Sequence, residues 1–138
     1  MPLGLSTMLH TSFDDAVERT TQVLADQGFG VLTRIDVKAT LKEKLGETME
    51  DYLILGACNP LLAHRALDVD RQIGQLLPCN VVVRRDTTGP GDTIIVEAMD
   101  PQIMVQVANR PGLPEIADQA AAKLRAAISA LEKTAQTP

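Results

Sequence analysis

Residues 79–99 read Cys79-Asn-Val-Val-Val-Arg-Arg-Asp86, then Thr87-Thr-Gly-Pro-Gly91, then Asp92-Thr-Ile-Ile-Val-Glu-Ala-Met99. Two runs of strand length, rich in Val and Ile, flank a Gly/Pro loop, which is the pattern of a β-hairpin. A loop this short joins its strands antiparallel, because a parallel pair needs a crossover of a dozen or more residues. Upstream the chain alternates strand and helix, so the hairpin turns a would-be α/β order into a mixed one. The fold class that follows is α+β, with five strands in a mostly antiparallel sheet and helices packed on one face.

Working back from the hairpin, Leu3 to His10 alternates Leu3, Leu5 and Leu9 against Ser6, Met8 and His10, and reads as the first strand. Ser12-Phe-Asp-Asp15 is a capping start with acids in the first turn. Phe13, Val17, Thr20 and Leu24 then recur at helical spacing as far as about Gln27, where Gly28 supplies a left-handed stop. Gly30 to Val37 reads as a second strand, with Val31, Ile35 and Val37 on one face and Arg34 and Asp36 on the other. A short polar helix over 39–45 ends at Gly46. The third strand, Asp51 to Cys58, lacks clean alternation, as a strand buried on both faces would. Asn59 as N-cap and Pro60 as first helical residue predict a helix to about Asp68. An irregular turn over 73–77 leads to Pro78.

Beyond the hairpin, one or two helical turns over 101–107 are broken at Asn109-Arg-Pro-Gly112. A last helix, Pro114 to about Leu131, carries Ile116, Ala120, Leu124, Ile128 and Leu131 on one stripe. No repeat or linker divides the 138 residues, so a single domain spanning 1–138 is expected, with an ordered core over about 3–131 and a frayed end from Thr134. Helices with one apolar stripe cover one sheet face. The other face is left to residues such as Arg34, Asp36, Arg84, Ile95, Glu97 and Met99, a half-apolar surface suited to self-association.

Composition narrows the function classes. Hydrophobic residues are 45% and charged residues 22%, a globular balance. Phe13, Phe29 and Tyr52 are the only aromatics, which removes the stacking platforms of single-stranded nucleic acid binding. A formal charge of -5 opposes phosphate tracking, so no nucleic-acid partner is expected. No apolar run approaches the ~20 residues of a membrane span, and the start lacks a signal peptide's charge and apolar segment. The expectation is a cytoplasmic protein without a membrane partner, its two cysteines present as thiols.

The chemistry-bearing residues cluster in two similar settings, Leu55-Gly-Ala-Cys-Asn-Pro60 and Leu77-Pro-Cys-Asn-Val-Val-Val83. Together with Phe13-Asp-Asp-Ala-Val, Ala63, Ala66-Leu67 and Ile73-Gly74, these resemble the bacterial and archaeal domain-of-unknown-function family 302, over roughly Ser6 to Leu131. The resemblance implies a small α+β domain similar in layout to TATA-binding-protein-like folds, and a homodimer. It implies no reaction, and a likeness of layout carries no DNA binding to an acidic chain.

Candidate site residues are therefore Cys58, Asn59, Pro60, His64, Cys79 and Asn80, shaping a strand-end pocket for a small ligand or protein partner. Asn59 and Asn80 suit backbone work, one capping a helix and one bonding a neighbouring turn. The alternative is thiol chemistry, meaning redox, persulfide carriage or metal binding, since a thiol beside a helix N-terminus has its thiolate favoured. Against it, free cysteine is among the most buried residue types, and packing is the preferred reading of both sulfurs. Cys58, His64 and Cys79 would supply three soft metal ligands, but their spacing matches no recognised site and a fourth ligand is missing, so no metal or cofactor is assigned. His64 and His10 read as solvated histidines. Thr88-Gly-Pro-Gly91 lacks the Lys and the strand-to-helix setting of a phosphate loop. Asp14, Asp15 and Glu18 are explained by the helix start they occupy. With two histidines and no orienting acid, no nucleophile triad can be drawn.

Overall fold

In the computed structural model, which describes residues 4–89 and 93–135, the chain runs β1 (Gly4–His10), α1 (Phe13–Asp26), β2 (Gly30–Asp36), α2 (Val37–Leu45), β3 (Tyr52–Cys58) and α3 (Pro60–Val69). It continues through a 3₁₀ turn (Arg71–Leu76), β4 (Cys79–Arg85), β5 (Thr93–Met99), α4 (Gln102–Ala108) and α5 (Leu113–Ala135). Expectations placed on Leu3, on Pro90, Gly91 and Asp92 in the hairpin loop, and on 136–138 fall outside the described residues. The strands form one sheet in the order β1-β5-β4-β3-β2, and every pairing is antiparallel. No described helix is long and apolar enough to cross a membrane.

Local sequence chemistry sets the element ends. Ser12 accepts the Asp15 N–H at 3.1 Å to start α1, and Gly28, at φ 84, turns the chain out of it. Asp36 accepts the Ala39 N–H at 2.9 Å, so α2 begins at Val37, two residues before the expected start. Gly46 closes it in the left-handed region at φ 69.

Alternate residues of the central strands make the floor of the core. Leu53, Leu55 and Ala57 of β3, Val81 and Val83 of β4, and Ile94, Val96 and Ala98 of β5 all turn toward α1 and α5. A second cluster lies past the sheet end, where Leu62 and Ala66 of α3 meet Ile73, Met104, Leu113 and Ile116. The 23 residues of α5, about 34 Å long, join the two. The stripe Ile116, Ala120, Leu124, Ile128 and Leu131 is buried along its whole length, and the helix runs on through Thr134 to Ala135.

One expectation is overturned in β2. A β-bulge lies between Val31 and Thr33: Val31 pairs with Ala57, but Thr33 then pairs with Gly56, Arg34 with Leu55 and Asp36 with Leu53. The extra residue inverts the in–out alternation beyond it. Arg34 and Asp36 therefore stand on the helix side, in register with Leu55 and Leu53. Ile35, opposite Ile54, turns to the uncovered face and is 49% exposed. Across the bulge, a Cβ at Gly56 would meet Thr33 Oγ1 and come within 2.9 Å of the Pro78 ring, so the bulge closes over a position only glycine can occupy.

Candidate functional site

The two Cys-Asn motifs meet at one end of the sheet. The register sets Ala57 opposite Cys79 and Cys58 opposite Gly30, which puts the last residues of β3 beside the first of β4. Asn59 then works in two directions. Its Oδ1 accepts the Leu62 N–H at 3.2 Å, capping α3, and its Nδ2 donates to the Gln27 carbonyl at 3.5 Å. The amide thus ties the end of α1 to the start of α3. Gly28 lies under the same amide, with Asn59 Nδ2 3.0 Å from the position a Cβ would take.

Both cysteines are free thiols, and both line one cavity with Phe29, Leu62, Ala66 and Met104. Its volume is about 30 Å³. That is room for about one water, against the roughly 300–1,000 Å³ of ligand sites. Cys79 is buried at 7% exposure, and burial, reinforced by Cys58 nearby, pushes its thiol up to about 11. Cys58 is half-buried.

The other candidates point elsewhere. Pro60 is exposed at the first position of α3. His64 stands in solvent with Nε2 3.6 Å from Asp68 Oδ2 on the next turn. Asn80 is exposed opposite Gly56, on the uncovered sheet face. The set Cys58, His64 and Cys79 is not assembled, and among the described residues no group of three or more His, Cys, Asp or Glu side chains is placed to hold a metal ion. His10 is exposed, its Nδ1 3.4 Å from the buried Thr93 hydroxyl.

Two larger features lie away from this corner. On the uncovered face, Arg84 holds Glu97 in a bidentate pair, Nε to Oε2 at 2.9 Å and the second nitrogen to Oε1 at 3.1 Å. Around it lie Met8 at 54% exposure, half-buried Ile54 and Val82, and Ile95. On the helix side, α1 and β2 diverge over a groove of about 650 Å³, with Phe13, Val17 and Leu53 at its base and Asp14, Glu18, Arg34 and Asp36 along its sides. Sequence reasoning missed the groove because it assigned Arg34 and Asp36 to the opposite face. Gly56, inside a strand of apolar residues, is the one mark of the bulge that reverses them.

The family model described as Domain of unknown function DUF302 matches residues 5–131. The chain belongs to the DUF302 family. It is similar to the crystal structure of an uncharacterized conserved DUF302 protein from Bacillus stearothermophilus, with a TM-score of 0.83 at 29% identity over 94% of this chain and 98% of that one. No curated protein matches the chain. Both Cys-Asn motifs fall inside the DUF302 match. In this DUF302 chain Ala57, Asn59 and Cys79 of these motifs line the seam between sheet and helices, while Gly56 meets Thr33 and Pro78 across the bulge.

Proposed function

We propose that this DUF302 protein is a non-catalytic homodimer, located in the cytoplasm, in which two copies pair through the uncovered sheet face. The observation that carries the reading is the half-apolar surface around Arg84 and Glu97, which no described helix covers. One cation and one anion side by side make the patch self-complementary, since a two-fold axis between them sets Arg84 of each copy against Glu97 of the other. Five strands of seven residues span roughly 24 by 23 Å. That gives roughly 550 Å² per copy and 1,100 Å² per pair before side-chain relief is counted, near the lower bound of specific interfaces.

The Cys58–Asn59–Cys79 corner is the clasp that holds the helices against the sheet end, and any partner it meets docks across its surface. Thiol chemistry by the pair is disfavoured by the raised pKa of Cys79, which keeps that sulfur protonated at neutral pH.

Sedimentation equilibrium at about 50 µM tests the pairing, because an association of micromolar strength is nearly complete there. Wild type should weigh as a dimer, and Met8→Glu or Ile35→Glu, both at exposed positions that leave the core intact, should weigh as a folded monomer. A monomeric wild type, or variants that stay dimeric, would refute the proposal.

A further inference from the structure

The groove between α1 and β2 is on the helix side of the sheet, opposite the face assigned to pairing, so what it binds is a separate question. Phe13, Val17, Thr21 and Ala25 follow one another at one-turn intervals along its α1 wall. The twelve steps from Phe13 to Ala25 make the groove about 18 Å long. Its base is apolar, with Leu53 of β3 beneath and Arg34 and Asp36 on the far wall. An open trough of this length and chemistry matches an amphipathic helix of about three turns laid along it.

Charge selects the sign of that helix. Asp14, Glu18 and Asp36 against Arg34 leave the groove two negative charges in excess. Asp14 and Glu18 are four residues apart on one helix face, a like-charge spacing that costs a few tenths of a kcal/mol. Among the described residues, none of Asp14, Glu18 and Arg34 has an ion-pair partner. Neighbouring Asp15, by contrast, is taken by Arg19 at 2.8 Å.

We infer that this groove docks a cationic amphipathic helix of a partner protein, its apolar face on Phe13, Val17 and Leu53 and its Lys or Arg side chains along Asp14, Glu18 and Asp36. The apolar base and the length favour a helix over a small free cation, which would use only the acids.

The test uses the full chain and two fluorescein-labelled peptides of twelve residues. Each has Leu and Ala on one helical face, with Lys on the other face in one peptide and Glu in its counterpart. Anisotropy should show saturable binding of the Lys peptide in the micromolar range and at least about tenfold weaker binding of the Glu peptide. Glu18→Lys with Gln22→Lys, both exposed and away from the helix start, should weaken the Lys peptide about tenfold or more without moving the thermal midpoint. Met8→Glu should leave its binding unchanged, which separates this result from the fate of the homodimer. The inference is overturned by absence of saturable binding up to about 1 mM, the weak limit of useful affinity. It is equally overturned by binding indifferent to the charge reversal, or by spermidine displacing the peptide at equal concentration, which would mark a site for free cations.

Discussion

Alkaline titration of Cys79 tests whether the most distinctive motif of the chain serves packing or chemistry. The thiol is uncharged when protonated, and burial raises its pKa from an ordinary 9.0 to about 11. Between those values the unfolded chain has released a proton that the native protein still holds. The linkage slope is therefore negative, and stability falls as pH rises through the window. Two units correspond to a loss on the order of 2–3 kcal/mol, complete near pH 11. Cys79→Ala abolishes that loss and costs about 1 kcal/mol at neutral pH, the price of removing one buried heavy atom. The two stability curves should therefore cross between about pH 9 and 10.5. Urea unfolding at half-unit steps of pH measures both, and the titrations of Lys and Tyr cancel between the two proteins. A second reading comes from native thiol labelling at pH 7.5, where a pKa raised from 9.0 to about 11 leaves Cys79 thiolate about 100-fold scarcer than at an ordinary thiol. At most one thiol, Cys58, should react promptly. Parallel stability curves, or two thiols labelled at the rate of free cysteine, would refute the packing account and return both sulfurs to candidacy for chemistry.

Two further outcomes test the joint and the core. Asn59→Ala removes the cap on Leu62 N–H and the long bond to the Gln27 carbonyl, and should cost about 1–1.5 kcal/mol in urea unfolding. Asn59→Ser keeps a capping oxygen and should lose less than about 0.5 kcal/mol, so equal stability of all three proteins would remove the clasp. Thr20 is 1% exposed, and its hydroxyl has no hydrogen-bond partner among the described residues. Replacement by the isosteric Val should stabilise by about 1 kcal/mol and raise the thermal midpoint by about 3 °C; an unchanged or lower midpoint would show that the hydroxyl is satisfied in solution.

What was legible in the sequence is what local chemistry decides. Ser12, Asn59 with Pro60, Gly28 and Gly46 each mark a helix end through a bond or a dihedral contained within a few residues, and each mark stands where the sequence puts it. The alternation in β5 was readable too, because Ile94, Val96 and Ala98 contrast with Glu97. The start of α2 was misread because Val37 suits a strand by propensity, while the Asp36 carboxylate, bonded to Ala39 N–H, makes it the first helical residue. Nothing within Val31–Asp36 announces the bulge. Its cause is across the sheet, where Gly56 leaves space that Thr33 fills, and a residue paired 23 positions later is invisible to a reading by period. With the bulge went the faces of Arg34, Asp36 and Ile35, and with them the groove.

The same contrast bears on where function resides in this fold. Motif residues that stand out in a sequence do so because few side chains satisfy their positions, and tight packing is as strict a requirement as catalysis. Gly56 cannot gain a Cβ against Thr33 and Pro78; Cys79 fills a seam with space for about one water; Asn59 holds two helix ends with one amide. Each constraint is met by neighbours within the same chain. Unmet requirements lie instead on two faces away from the cysteine motifs: apolar side chains around Arg84 and Glu97 that no described helix covers, and rim charges at Asp14, Glu18 and Arg34 that have no ion-pair partner among the described residues. Binding is driven by what folding leaves unsatisfied, so substitutions on those faces should change association while leaving stability nearly untouched, and substitutions at the cysteine corner should do the reverse.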